Sequence, residues 1–391
     1  MDAFPVEEYQ GRLARVKARM EGAGLDGLLC ADPASINYLT GYDGWSFYVP
    51  QAVAVRLDAA EPLWLGREMD AAGARLTTWL GPASLAPYPE TFVDAADRHP
   101  LDHVAATLRE RGWGRGRIGV ELDAPYYTAR GHLALQAGLP GATLVDAEGL
   151  VGWARIRKSP AELGCVRAAA DIVARAMAAG MEAIAPGRRE CDVAARVAAV
   201  LFTGTPEHWG DYPAALPSLP SGARTAAPHL TWSGERYAAD TVTYLELAGC
   251  HRRYHAPLAR TVCLGRPPAG LPDLAATVEE GLDAALDAAR PGVTCEAVEA
   301  AWRKVITRAG YAKASRIGYS VGLGYPPDWG ERTASLRPGD LTVLEPDMVF
   351  HVILGMWEDD GGYELSETIR ISEGGPPEVL TQFPRALLIK A

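Results

Sequence analysis

Near residue 150 the chain changes texture, and that change limits the folds open to it more than any other feature. Before it, short apolar runs at 27–30, 52–57, 62–65 and 118–122 are each bounded by Gly, Pro or Asp, as strands are. Helical spacing at 7–24, where Leu13, Val16 and Met20 share a face, and helical stretches around 101–112 and 128–138 separate them. Alternating strands and helices predict a small layered α/β unit over 1–155. After the change, Ser159 caps an Ala-rich helix over 160–184 that Pro186 and Gly187 stop. A second helix follows at 189–203. Period-two strands then run over 241–249, 258–265, 341–353 and 363–372, with helices at 272–290 and 295–310 between them. Helices and antiparallel strands in separate runs predict an α+β domain over 156–391. The boundary falls around 150–158.

Composition narrows the function. A chain of 391 residues suits two domains, and 48 % hydrophobic residues supply real cores. The formal charge of −11, without a basic block, argues against nucleic acid or an anionic membrane as partner. No run approaches the 18 apolar residues or more that a membrane span needs. The start lacks a basic and apolar leader. Six scattered cysteines form no CxxC pair, so they read as reduced thiols, not as disulfides or a zinc site. The expectation is a cytoplasmic enzyme acting on a small molecule.

Several strings carry a resemblance. Lys-Ser-Pro-Ala-Glu-Leu at 158–163 opens the long helix. Ser-Gly-Ala-Arg-Thr-Ala-Ala-Pro-His spans 221–229, the hairpin segment spans 245–262, and Leu-Arg-Pro-Gly-Asp with Leu-Glu-Pro-Asp-Met falls within 336–348. Together they resemble the creatinase, aminopeptidase P and prolidase family. The resemblance implies a C-terminal pita-bread catalytic domain behind a smaller N-terminal domain. The family's peptidases hold two metal ions with Asp, Asp, His, Glu and Glu. Matched string by string, those positions fall here on Glu246, Pro257, Tyr319, Ile353 and Ser366, with Glu364 and Glu367 beside the last. Pro, Tyr and Ile side chains do not serve as ligands for a hard cation. No dinuclear metal site and no other cofactor is expected.

Creatinase is the family's precedent for hydrolysis at a guanidinium carbon without metal. Strings at 40–49, 210–214, 227–232, 254–261 and 325–333 resemble the branch that opens the cyclic amidine ectoine. Two departures from that branch are Asp347, in place of a turn Gly, and Pro50. A planar amidinium requires a nucleophile or counter-charge, a base for water and an acid for the departing nitrogen. The resemblance implies that Glu246, mid-strand in an apolar run, attacks the carbon or holds its charge, and that His255 or His229 moves protons. Arg332 would grip a substrate carboxylate with its planar fork. Asp211, Tyr212, Tyr319, Trp329 and Glu364 would line the pocket. Trp45, Phe47 and Tyr48 would close it from the partner of a homodimer. Each has a plainer alternative: Glu246 as a water-facing edge carboxylate, His229 and His255 as structural or solvated histidines, the aromatic loop as core, and Arg332 as half of a surface ion pair with Glu331. His251 and the two arginines after it read as an exposed hairpin tip. An Xaa-Pro metallopeptidase, another amidine or guanidine hydrolase, and a non-catalytic binding protein are the competing functions.

Overall fold

The computed structural model describes residues 4–358 and 361–390, and the chain divides into two compact units, Met1–Arg155 and Ile156–Ala391. In the first, β1 (Gly27–Cys30), β2 (Ala52–Arg56), β3 (Leu63–Leu65), β4 (Gly116–Val120) and β5 (Ala142–Asp146) form one sheet in the order β3-β2-β1-β4-β5. β1 pairs antiparallel with β2 and parallel with β4. The helices are α1 (Val6–Gly22), α2 (Pro33–Thr40), α3 (Ala71–Thr77), α4 (Pro100–Glu110), α5 (Ala129–Gly138) and α6 (Leu150–Ala154). Local chemistry sets their ends. Asp32 accepts from Ala34 N to start α2, Gly41 ends it at φ 81°, and Thr128 caps α5. Leu29, Leu63, Val104, Leu108, Ile118 and Leu135 close a core between sheet and helices.

The second unit begins with α7 (Pro160–Ala183), whose first turn carries a reciprocal cap between Ser159 and Glu162. Then come α8 (Glu190–Thr203), β6 (Thr241–His251), β7 (Tyr254–Leu264), α9 (Leu271–Ala288) and α10 (Cys295–Arg308). The remaining strands are β8 (Gly318–Tyr325), β9 (Asp328–Leu336), β10 (Val349–Ile353), β11 (Met356–Glu358), β12 (Gly361–Tyr363), β13 (Ser366–Arg370), β14 (Glu378–Val379) and β15 (Leu388–Lys390). They build a sheet in the order β14-β13-β10-β8-β7-β15, with β6 on β7 and β9 on β8. This is the pita-bread α+β arrangement. Ile172, Val173, Met177 and Val197 from the helices meet Leu245, Leu247, Leu258 and Val262 from the hairpin in the core. The approach is close enough that a Cβ on Gly249 would lie 1.9 Å from Ala169 O.

Three expectations are corrected. Residues 341–353 are not one strand: Pro346 has no N–H to donate and Asp347 sits at φ 70°, so pairing begins only at Val349. Arg370 grips the Asp347 carboxylate at 2.6 and 2.8 Å, which holds that left-handed turn without glycine. The run 363–372 likewise divides between β12 and β13. The tip at His251 is not exposed: His251 is buried, with Nδ1 2.9 Å from Trp209 O, and Arg253 stacks 3.7 Å over the Tyr212 ring. All six cysteines are thiols, outside any disulfide. Among the described residues no helix is long and apolar enough to cross a membrane.

Glu331 is not half of a surface pair with Arg332. It is buried and accepts from Lys158 Nζ at 2.6 Å, both side chains being 1 % exposed. Removing one member strands a charge in the interior. Glu331→Ala is expected to lower unfolding stability by about 3–5 kcal/mol, read as a lower denaturant midpoint; a loss below about 1 kcal/mol would mean that the pair is effectively solvated.

Candidate active site

A cavity of about 860 Å³ opens in the second unit, walled by β6, β8 and β9 and by residues from 214–218, 228–231 and 313–316. β6 aims Glu246 into it, and mutual backbone bonds with Ser218 at 3.0 Å fix that strand against the 214–218 segment. Burial, and then the Asp328 charge, push the Glu246 carboxyl up to about 7. Glu364, 1 % exposed, shares the cavity. Its backbone is clamped by two 2.9 Å bonds with Thr261 Oγ1. Burial, reinforced by Glu246, holds its carboxyl well above the usual range, while Lys313 works the other way. Two carboxyls, both pushed upward by burial, thus share one cavity, a pairing suited to acid–base chemistry.

Lys313 and Arg316 are the cations on this cavity, and neither is marked by spacing or by motif. Lys313 Nζ donates to Gly355 O and lies 4.3 Å over the Trp357 ring. Burial lowers its pKa to about 8. The Arg316 guanidinium stacks 4.2 Å over Tyr319 and bonds Ser335 Oγ at 3.1 Å. Only a loop that returns from α10 to β8 brings them here.

Of the residues expected from the sequence, Glu246, Glu364, Tyr319, Trp329 and His229 line the cavity, His229 from an exposed turn at φ 66°. Four do not. His255 is fully buried, its Nε2 accepts Ala214 N–H at 2.9 Å, and burial drops its pKa to about 4. It is a neutral structural acceptor, not a base for water. Arg332 is exposed at φ 54° and does not line the cavity; the guanidinium that does is that of Arg316. Asp211 and Tyr212 serve the hairpin tip: Asp211 accepts from Arg253 N, and Tyr212 lies under the Arg253 guanidinium. In the first unit Trp45 and Tyr48 are 57 % and 68 % exposed, whereas Phe47 is buried against Tyr126 at 4.9 Å.

The positions matched to metal ligands carry one carboxylate, Glu246. Tyr319 bonds Trp329 and His351, Ile353 is apolar, Pro257 lies within the buried strand β7, and Ser366 Oγ accepts Ala259 N–H at 2.6 Å. This donor set does not fit two hard cations. Among the described residues no group of three or more His, Cys, Asp or Glu is arranged to hold a metal.

Comparison with known proteins fits this geometry. Residues 12–157 match the creatinase/prolidase N-terminal domain, and residues 164–373, more than half of the chain, match metallopeptidase family M24. This chain belongs to family M24. Its similarity to an ectoine hydrolase from Halomonas elongata is 43 % identity over 99 % of this chain and 98 % of that one. An uncharacterized hydrolase/peptidase from Sinorhizobium fredii is 45 % identical over 99 % and 98 %. A prolidase structure from Thermococcus sibiricus superposes with a TM-score of 0.84 over 97 % of this chain and 99 % of that one, at 19 % identity. The M24 chain is therefore a hydrolase acting on C–N bonds, with a family fold and an altered ligand set.

The Glu246 environment has a stability signature. The unfolded chain ionises this carboxyl near ~4.3, the folded chain near 7. Between those values the folded state keeps a proton that the unfolded state has lost, so this site's effect on stability worsens as pH rises and is worst above 7. Glu246→Gln is expected to raise Tm by about 2 °C at pH 8 and to leave it unchanged near pH 4. An equal shift at both pH values would show that the carboxylate is not desolvated.

Proposed function

We propose that this chain is a metal-independent hydrolase that opens the ring of a cyclic amidine of the ectoine type, ectoine or hydroxyectoine, to an N-acetylated 2,4-diaminobutyrate. The observation that carries the reading is Glu246: one desolvated carboxylate, at a position where the family's peptidases place a metal ligand, facing a cavity walled by Trp329, Tyr319 and Trp357. An amidinium restores the ionised form that burial disfavours, so cationic ligand and carboxylate favour each other. The 43 % identity to an ectoine hydrolase along the full chain supports this substrate over a guanidine. Net hydrolysis adds one water: a C–O bond forms at the amidine carbon, one ring C–N bond breaks, and the nitrogen leaves with a proton. Glu246 meets the carbon as the anion. Glu364, whose carboxyl burial holds well above the usual range, is the acid in this reading. Arg316 is placed to take the substrate carboxylate. In this reading the enzyme is a cytoplasmic homodimer, and the exposed rings of Trp45 and Tyr48 are those available to a second copy.

Incubation with ectoine followed by mass spectrometry should show a gain of one water, lost in Glu246→Gln; unchanged turnover in that variant would remove Glu246 from the chemistry. Activity should survive exhaustive chelation, whereas near-stoichiometric manganese, zinc or cobalt with chelator-sensitive turnover would overturn metal independence. Since the free enzyme needs Glu246 ionised, kcat/KM should climb about tenfold per pH unit up to about 7 and then level. A profile flat from pH 5 to 8 would contradict that role. Arg316→Ala is expected to raise KM by roughly 10–100-fold, while Arg332→Ala leaves it near wild type.

A further inference from the structure

Behind the cavity wall three adjacent strands carry a chain of hydrogen bonds. Register places Tyr319 on β8 opposite His351 on β10, and Ser366 on β13 opposite Ile353, two residues along β10 from His351. His351 is fully buried, with Nδ1 3.1 Å from Tyr319 Oη and Nε2 2.8 Å from Ser366 Oγ. Each end of the chain is closed by a group that only donates: Trp329 Nε1–H to Tyr319 Oη at 2.9 Å, and Ala259 N–H to Ser366 Oγ at 2.6 Å. Burial, and then Arg316, lower the His351 pKa to about 3, so the ring is neutral and has one N–H and one bare nitrogen.

Only two proton arrangements satisfy this geometry. In the first, Nε2–H donates to Ser366, and the phenol O–H of Tyr319 is consumed by Nδ1. Ser366 then accepts two bonds, and its own hydrogen, on a fully buried residue, meets no acceptor. An unpaired buried hydroxyl proton costs about 1–3 kcal/mol. In the second, Ser366 O–H donates to Nε2 and Nδ1–H donates to Tyr319. The Ser366 and His351 protons then both have partners. Tyr319 Oη accepts two N–H bonds and its single hydrogen is left for the cavity side, which it shares with Glu246. The accounting selects the second arrangement.

We propose that Tyr319 is a catalytic residue of this hydrolase, a phenol that donates a hydrogen bond to the amidine nitrogen on which a lone pair localises as the carbon becomes tetrahedral, and that His351 and Ser366 are positioning residues that turn its proton into the cavity. The proposal rests on the amidine-hydrolase reading for its substrate. No proton changes hands: the O–H stays intact and its dipole does the work, as in other preorganised donors aimed at a transition state. Burial and the Glu246 charge raise the Tyr319 pKa, so the phenol remains a donor across the working range. Accepting two N–H bonds polarises that O–H further. The position that in the family's peptidases holds a metal-binding histidine thus carries a neutral electrophile.

Nitrogen-15 NMR of the eight histidines, with His351 assigned by its loss in His351→Gln, reads the proton directly. The expected result is protonated Nδ1 and bare Nε2 in the wild type, reversed or mixed in Ser366→Ala and restored in Ser366→Thr. Bare Nδ1 in the wild type would overturn the proposal, because the phenol proton would then be spent on His351. With ectoine, Tyr319→Phe should lower kcat by about 10²–10³-fold with KM within about threefold. Ser366→Ala should lower kcat about tenfold and Ser366→Thr should recover it. Full kcat in a folded Tyr319→Phe also overturns the proposal. Wild-type enzyme that leaves ectoine intact removes the substrate reading instead, and the tautomer measurement still decides where the proton points.

Discussion

The buried guanidinium of Arg260 is the point on which the catalytic unit hangs. From the middle of β7 it donates to Ala259 O and Ser366 O, to Glu367 Oε1, and to the carbonyls of Phe383 and Pro384. Glu367 also accepts from Arg385 and from Thr381 Oγ1. A charge so far from water is tolerated only when its donors are satisfied and its counter-ion is adjacent, and here both hold. The result is mechanical. β7, β13 and the C-terminal segment are locked together, so Ser366 has one position relative to Ala259 and to His351. The precision of the cavity wall begins with a salt bridge that does not face the cavity.

That framework explains how a fold associated with metal centres can carry different chemistry. A dinuclear site needs several carboxylates converging on one point, and their mutual repulsion is cancelled by the ions. With proline, tyrosine, isoleucine and serine at four of those positions, fewer carboxylates converge. Glu246 shares the cavity with Glu364, whose carboxyl burial raises, and with a desolvated Lys313. In the proposed reading desolvation supplies the reactivity, since it raises the energy of the carboxylate anion and rewards a flat cation that meets it. Hydrogen bonding carries the rest: each former ligand site on the Tyr319–His351–Ser366 line now has a donor and an acceptor in register.

Much of the fold was legible in the chain. Apolar runs with glycine, proline or aspartate at their ends mark β1 to β4, and the helical faces and caps mark α1, α4, α5 and α7 to α10, because those signals arise within a few residues. The hairpin of β8 and β9 was not read as strands. Gly318, Gly322, Gly324 and Gly330 with the Pro326–Pro327 pair weaken β propensity, and pairing there is decided by close approach: a Cβ on Gly322 would come within 2.8 Å of Lys158 Cε. At the site the same division holds. Glu246, Tyr319, Trp329 and Glu364 are recognisable by the strings in which they stand, while Lys313, Arg316 and His351 stand in none that points to them. His255 and Arg332 show the reverse error, since a suggestive neighbour in the chain does not say which way a side chain faces. His255 accepts a backbone N–H, and Arg332 is exposed and does not line the cavity.

What the sequence determined by itself was the two-part architecture, the family strings and the loss of ligand-type side chains, because residue identity and local periodicity are properties of the chain alone. Only the tertiary structure decided which carboxyls are buried, which guanidinium lines the cavity and which groups Tyr319 bonds. Those depend on burial and on hydrogen bonds between residues as far apart as 319, 351 and 366, and such distances exist only after the strands have paired.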